Sequence, residues 1–162
     1  MSAQRADPAE QGWFLRLCYR DWRPTLFGRW VNRFWMLWSS LGLPPRLMLA
    51  LQVPGRKSGR LRTNVLVTAR VGGKQYLVSM LGEKSEWVLN VRANAGHAFI
   101  KQGRRKPVVL VDVPVTERAP IIKEYCRVAT SGRHHFPAAW DAPVEEFAKI
   151  AADYPVFRVD PA

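Results

Sequence analysis

Hydrophobic positions change their period several times along the chain. From Gln11 the spacing is helical: Trp13, Phe14, Leu17 and Cys18 share a face, with Arg16, Arg20 and Arg23 largely off it. Pro24 interrupts, and a second helical pattern carries Trp30, Phe34, Leu37, Trp38 and Leu41 until Gly42 and Pro44-Pro45 end it. From Leu47 the pattern predicts strands, first over 47–53 and then over 63–71, where Val65, Val67, Ala69 and Val71 share a face at a period of two. Gly72-Gly73 predicts a two-residue hairpin into a third strand over 74–80. Helical spacing returns after Ser85, which reads as an N-cap, with Trp87, Val88 and Val91 on the core face and an end at Asn94 to Gly96. Two more strands follow at 97–101 and 106–113, then a helix over 117–129 capped by Thr116. An irregular loop spans 130–141, and Pro143 opens a last helix with Val144, Phe147 and Ile150 inward. A closing strand is expected over 154–159.

About six strands, mostly joined by short hairpins, with helices before, among and after them, predict an α+β domain built on a small antiparallel barrel. A doubly wound parallel sheet fits poorly, because consecutive strands lack intervening helices. The expected division is an N-terminal helical segment, residues 1–43, and a barrel domain, residues 44–162, in one structural domain overall.

Charge changes the picture. Of 162 residues, 25 are Lys or Arg and 13 are Asp or Glu, a formal net charge of +12. Nucleic acid, an anionic membrane surface or a polyanionic small ligand would each answer that balance. Five of the seven tryptophans lie before residue 40, so the first two helical patterns read either as packing elements or as interfacial helices on anionic lipid. Nucleic acid ranks low, because the aromatics do not interleave with the basic residues as stacking platforms. Met1 to Asp7 lacks the apolar stretch of a secretory signal, and Trp30 to Leu43 is too short and too interrupted to span a bilayer. The expectation is a cytoplasmic protein, with attachment to the inner face of the membrane as the alternative. Cys18 and Cys126 are too far apart to suggest a disulfide framework or a metal site.

The most concentrated chemistry is Pro54-Gly55-Arg56-Lys57-Ser58-Gly59-Arg60-Leu61-Arg62, with four cations from Arg56 to Arg62. A glycine-bracketed basic loop between strands can hold an anion through backbone N–H groups, guanidinium forks and a mobile ammonium. A solvated hairpin turn is the plainer alternative. The spacing is not that of a Walker A loop, and no helix follows it. The start of the helix after Ser85 is a second candidate anion site. There is no carboxylate pair, nucleophile elbow or zinc-spaced His/Cys cluster, and no metal is expected. His97 reads as a surface or structural residue, Cys126 as a small core residue, and His134 and His135 as pocket or solvated loop residues. An anion-holding barrel without its own triad suits an enzyme whose cofactor carries the chemistry.

Gly55-Arg56-Lys57-Ser58-Gly59, then Arg62 and Asn64, then Trp87-Val88-Leu89-Asn90-Val91-Arg92-Ala93-Asn94 resemble the deazaflavin-dependent nitroreductase and quinone reductase family. The resemblance covers roughly residues 47–113. It implies a split β-barrel and coenzyme F420, an 8-hydroxy-5-deazaflavin with a phosphate and polyglutamate tail, with FMN as the alternative. It implies that Arg56, Lys57 and Arg62 meet that tail, with Ser58 and Asn64 as further cofactor-binding residues. Ser79, Met80, Leu81 and Gly82, with Ser85, Trp87 and Asn90, would surround phosphate or ring. The loop before Trp87 is shorter than in relatives and lacks their Gly-Gly. The tyrosine-rich lid of the nitro-drug reductase is absent, and His135, Phe136 and Trp140 stand roughly in its place as expected pocket residues. The implied reaction is hydride transfer from the reduced deazaflavin to a small electrophilic acceptor such as a quinone, enone or nitro compound. His134 is the first candidate proton donor and Tyr125 the second. The contrasting expectation is a basic membrane-surface protein without turnover.

Overall fold

The computed structural model describes residues 47–162, together with Tyr19, Arg20, Arg23 and Pro24. The last four form two short strands, β1 (Tyr19–Arg20) and β2 (Arg23–Pro24), paired antiparallel with Tyr19 opposite Pro24. This corrects the helical expectation over Arg20 and Arg23. Proline disfavours the helical region for the residue before it and cannot continue a helix interior. The other expectations for residues 1–43 lie outside the described residues.

Six strands close into a barrel: β3 (Met48–Pro54), β4 (Leu61–Val71), β5 (Lys74–Val78), β6 (His97–Gln102), β7 (Arg104–Asp112) and β8 (Val156–Pro161). Their order around the barrel is β3-β4-β5-β8-β7-β6, and every pairing is antiparallel. The C-terminal strand therefore closes the gap between β5 and β7. Gly72 and Gly73, with φ of 56° and 75°, make the expected turn between β4 and β5. The β6–β7 turn is tighter than expected. Gly103 at φ 84° lets β7 start at Arg104.

Three helices pack on this frame. Helix α1 (Glu86–Ala93) closes one end of the barrel, α2 (Val115–Val128) crosses the outer wall, and α3 (Val144–Ile150) lies on α2. The interior is filled by Leu49, Leu51, Val53, Leu77, Ile100, Leu110 and Phe157, against which α1 sets Trp87, Val88 and Val91. A second core lies outside the wall. There Ala69, Val78 and Val156 meet Ile121, Ile122, Tyr125 and Cys126 of α2 and Phe147 of α3. Thr68 and Ala69 of β4 and Leu77 and Val78 of β5 are buried, because this part of the wall is covered on both faces.

Three end signals differ from expectation. Pro114 takes the N-cap position of α2, so Thr116 sits in the first turn instead of capping it. Val144 lies at the exposed start of α3, while Phe147 carries the contact with the core. Strand β8 starts at Val156, two residues late, though the Ser79 N–H still donates to the Pro155 carbonyl at 2.9 Å.

Candidate functional site

The basic loop is a closed turn built on Gly55. Its N–H donates to Arg60 O at 2.9 Å, and its carbonyl accepts from the N–H groups of Ser58 and Gly59 at 3.2 and 2.8 Å. A Cβ at Gly55 would lie 3.2 Å from Ser58 Oγ and 3.3 Å from Arg60 O, so the turn closes tightly only around glycine. Gly59 takes φ 64° in open space, where a side chain would strain the backbone rather than clash. Ser58 turns its hydroxyl inward, 3.4 Å from the Arg60 N–H that donates to it. Arg56, Lys57, Arg60 and Arg62 are all exposed.

Helix α1 holds this loop with a stripe of polar side chains. Glu86, Asn90 and Asn94 recur every four residues and so share one face. Asn94 Nδ2 donates to Pro54 O at 3.0 Å. Asn90 Oδ1 accepts from the Arg56 backbone N–H at 3.0 Å and from Arg56 Nη1 at 3.2 Å. Glu86 receives the guanidinium fork, with Nη1 at 2.6 Å and Nη2 at 3.1 Å from its two oxygens. The Glu86 carboxyl is held below its ordinary value, first by those bonds to Arg56. Desolvation opposes this, and the charges of Arg56, Lys57 and Arg62 add to it. Three cations of the loop thus converge on the start of α1.

That helix start keeps free donors. The first helical bond runs from the Leu89 N–H to Ser85 O at 3.1 Å, and Ser85 makes no side-chain cap. The N–H groups of Glu86, Trp87 and Val88 precede it and have no intrahelical acceptor. Ser85 occupies the expected position with a different role. Its hydroxyl lies 2.8 Å from Ser79 Oγ, which also donates to Gly82 O at 2.9 Å. With one proton per hydroxyl, Ser79 donates to Gly82 and accepts from Ser85. The segment from Ser79 to Ser85 is thereby folded against the helix start. Gly82 is at φ 75° there, and Leu81 is 61% exposed.

The next residue, Met80, leads to the expected pocket side. Tyr125 Oη lies 3.7 Å from Met80 Sδ. Phe136 packs between Tyr125 and Tyr154, with ring centroids at 5.8 and 4.3 Å. Tyr154 Oη donates to the His135 carbonyl at 2.9 Å, which fixes the short 3-10 turn Arg133–His135. Burial pushes the Tyr125 phenol up, with Cys126 adding to the shift, and the same burial pushes the Cys126 thiol up to about 11. Burial, reinforced by the charge of His134, lowers His135 below its ordinary value.

The expected site residues therefore separate into groups. Arg56, Lys57, Ser58, Arg62, Ser79, Gly82 and Ser85 come together around the start of α1. Asn64 sits on β4 opposite Leu51, as Arg62 sits opposite Val53, on the side of the strand that faces the barrel interior. Asn90 is only 4% exposed and its side-chain oxygen is engaged by Arg56. Trp87 is buried against Phe157 at 5.5 Å. These two stand behind the site as supports. Tyr125 and Phe136 belong to the outer core, and His134 is exposed. Trp140 lies elsewhere, in a groove of about 450 Å³ with Pro120, Lys123, Glu124 and Arg127 on the outer face of α2. No group of His, Cys, Asp and Glu among the described residues could hold a metal.

Sequence reading missed the parts that brace α1. Arg92 pairs with Glu83 and, at 2.8 Å, with Asp112. Asp112 in turn takes Arg118 at 3.0 Å. Arg118 is 6% exposed and donates to Val113 O at 2.8 Å and Ala151 O at 3.2 Å. The polar stripe at Glu86, Asn90 and Asn94 was the available signal. For Arg118 there was none, because its burial depends on Ala151 O, thirty-three residues on, as well as on the nearby Asp112 and Val113 O.

The profile of the F420H(2)-dependent quinone reductase family matches residues 29–135. The chain belongs to that family. It is a reductase, its cofactor is coenzyme F420, and its barrel is the split β-barrel that the motifs implied. No curated protein matches it. Among solved structures, a domain-swapped dimer is 18% identical, with 83% of this chain and 96% of that one covered and a TM-score of 0.50. An F420-H2 dependent reductase is 20% identical, with coverage of 71% and 95% and a TM-score of 0.48. An F420 reductase is 17% identical, with coverage of 77% and 92% and a TM-score of 0.41. At such identities the likeness speaks to fold alone.

The residues present suit F420. The convergence of Arg56, Lys57 and Arg62 on an uncapped helix start supplies both charge and N–H donors for a phosphate or a glutamyl carboxylate.

Proposed function

We propose that this reductase acts on a quinone, with enones and nitro compounds as chemically related acceptors. The observation that carries this reading is the seating of the basic loop on the uncapped start of α1, within a chain of the F420H(2)-dependent quinone reductase family. When bound, reduced F420 supplies a hydride from C5 and releases a proton, and a quinone takes up one hydride and one proton to become a hydroquinone.

The protein's part is to bind, orient and deliver. Lys57, Arg62 and the Arg56 fork hold the anionic tail, and the N–H groups of Glu86, Trp87 and Val88 receive the phosphate. Ser79, Met80, Leu81 and Gly82 border the ring, with the exposed Leu81 side chain giving it an apolar edge. His134 or Tyr125 places a proton on the acceptor oxygen. Of the three expected pocket residues, His135 is left for the acceptor side, since Phe136 is buried in the outer core and Trp140 lines the groove on α2. Fluorescence titration with F420 and with FMN, followed by protein-dependent oxidation of reduced F420 by menadione, tests the reading. Binding of FMN alone would shift it to the flavin alternative. Tight F420 binding with no turnover on any quinone, enone or nitro compound would make the chain a cofactor carrier.

The Trp/Arg pattern of residues 11–41 supports attachment to an anionic membrane, which would bring the site to lipid-soluble quinones. No described helix is long and apolar enough to cross a membrane. Co-sedimentation of the full chain with anionic vesicles, weakened by salt, is the expected result. A chain that stays in the supernatant at low salt would remove the attachment.

A further inference from the structure

The Arg56 fork that the proposed function assigns to an anionic tail is already filled by a carboxylate of the chain itself. Glu86 meets Nη1 and Nη2 at 2.6 and 3.1 Å, in the side-by-side arrangement that Arg offers to carboxylate or phosphate. A guanidinium edge of this kind accepts one such partner at a time. Glu86 is chemically a glutamate carboxylate, as are the groups of a polyglutamate tail. Lys57 and Arg62 also lie close enough to act on it.

The two partners of this pair are held very differently. The Glu86 side chain is 77% exposed, and that of Arg56 is 25% exposed. Glu86 can swing into water without opening a cavity, and among the described residues no other hydrogen bond holds its carboxylate. Arg56 cannot leave so readily, because Asn90 holds both its N–H and Nη1. An incoming anion would therefore find Arg56 seated and Glu86 displaceable.

We propose that Glu86 is a resident carboxylate that occupies the Arg56 anion site and is displaced by the anionic tail of the cofactor, so that it sets how tightly the tail is held. Without a ligand it keeps the fork aimed outward and neutralised. With one, it has moved off Arg56 but remains a nearby negative charge. Either way it lowers the affinity that Arg56, Lys57 and Arg62 would give alone. The inference rests on the proposed tail site and names the residue that competes for it.

The test compares wild type with Glu86→Gln, each alone and with Arg56→Ala, after thermal unfolding has shown that all four fold. Each is titrated with full-length F420, with the same deazaflavin lacking phosphate and glutamates, and with inorganic pyrophosphate at low salt. Glu86→Gln is expected to tighten full-length F420 and pyrophosphate by about threefold to tenfold, in the range set by losing one exposed ion pair and one repulsive charge. The tail-less deazaflavin should be unaffected, and the gain should shrink when Arg56 is alanine. Unchanged or weaker binding of both anions by Glu86→Gln would overturn the inference, since Glu86 would then be indifferent or would hold Arg56 in shape. Equal tightening with Arg56 absent would also overturn it, leaving only a diffuse charge effect. Tightening of pyrophosphate with no binding of any deazaflavin would uphold displacement and discard the cofactor assignment.

Discussion

Asn90 accepts twice from one residue: its Oδ1 lies 3.0 Å from the Arg56 backbone N–H and 3.2 Å from Arg56 Nη1. It does so from a position that is only 4% exposed. Asn90→Ala would strand the Arg56 N–H and untie the loop from α1. The expected outcome is a loss of about 1–3 kcal/mol in stability, the usual result of unpairing a buried polar partner. F420 affinity should fall with it, because the loop would no longer be seated on the helix start. Asn90→Asp keeps an acceptor and should lose less of both. Denaturant unfolding and fluorescence titration read the two effects. Full affinity in Asn90→Ala would mean that the loop needs no latch.

Lys57 and Arg62 are exposed, and both act on Glu86 from outside the Arg56 pair. Lys57→Ala and Arg62→Ala should each weaken full-length F420 by about tenfold or more, the effect of removing one charge-assisted contact. Stability should change little, since neither side chain has a packing role. The loss should shrink for a deazaflavin stripped of phosphate and glutamates. Equal weakening for both ligands would put these residues at the ring instead of the tail.

The barrel was legible because its signals are local. Gly72-Gly73, Gly103 and the alternation from Val65 to Val71 fix hairpins irrespective of distant contacts. The loop from Gly55 to Gly59 and the helix after Ser85 were likewise visible as separate motifs. Their junction was less so. Glu86 opens the helix expected after Ser85, and its carboxylate points to Arg56, thirty residues back. Ser85 read as a cap, yet its hydroxyl meets Ser79. A small polar side chain has several partners within reach of its own backbone, and tertiary folding selects among them. Phe136 read as a pocket residue because it lies in an irregular loop, but Tyr125 and Tyr154 close over it. The buried Arg118 could not be found at all, because what buries it includes Ala151 O at the end of α3, which only tertiary folding brings to it.

Acid should expose the brace under α1. Glu83 is held below the ordinary carboxylate value of 4.5, chiefly by its hydrogen bonds to Arg92. A group with a depressed folded value stabilises the fold above its unfolded value and loses that contribution as pH falls through the folded one. The Glu83 contribution is therefore present at neutral pH and fades in acid, as pH falls below the ordinary carboxylate value and through the depressed folded one. Both partners are partly exposed, with side-chain exposures of 38% for Arg92 and 46% for Glu83, so the pair is solvent-screened. Glu83→Gln should lower Tm by about 1–3 °C at pH 7, with the difference from wild type closing in acid. A difference that persists unchanged at pH 3 would assign the loss to packing.

Proton delivery distinguishes His134 from Tyr125. Tyr125 is 4% exposed, and burial, with a smaller effect of Cys126, holds its phenol above the ordinary value. Among the described residues its hydroxyl meets the thioether sulfur of Met80, at 3.7 Å. Such a phenol is a poor acid, and its ring already has a packing role against Phe136. Tyr125→Phe keeps that ring and should leave turnover within about threefold, well below the usual effect of losing a general acid. His134 is exposed on the short turn that Tyr154 fixes through the His135 carbonyl. If it carries the proton, His134→Ala should slow menadione turnover by about 10²–10⁴-fold while F420 affinity stays unchanged. Affinity is the control here, because the proposed tail site lies at the start of α1 and not on this turn. A slowing confined to Tyr125→Phe would move the donor into the core beside Met80. Slowing in neither variant would leave proton transfer to solvent, with the protein serving only to hold and orient the reactants.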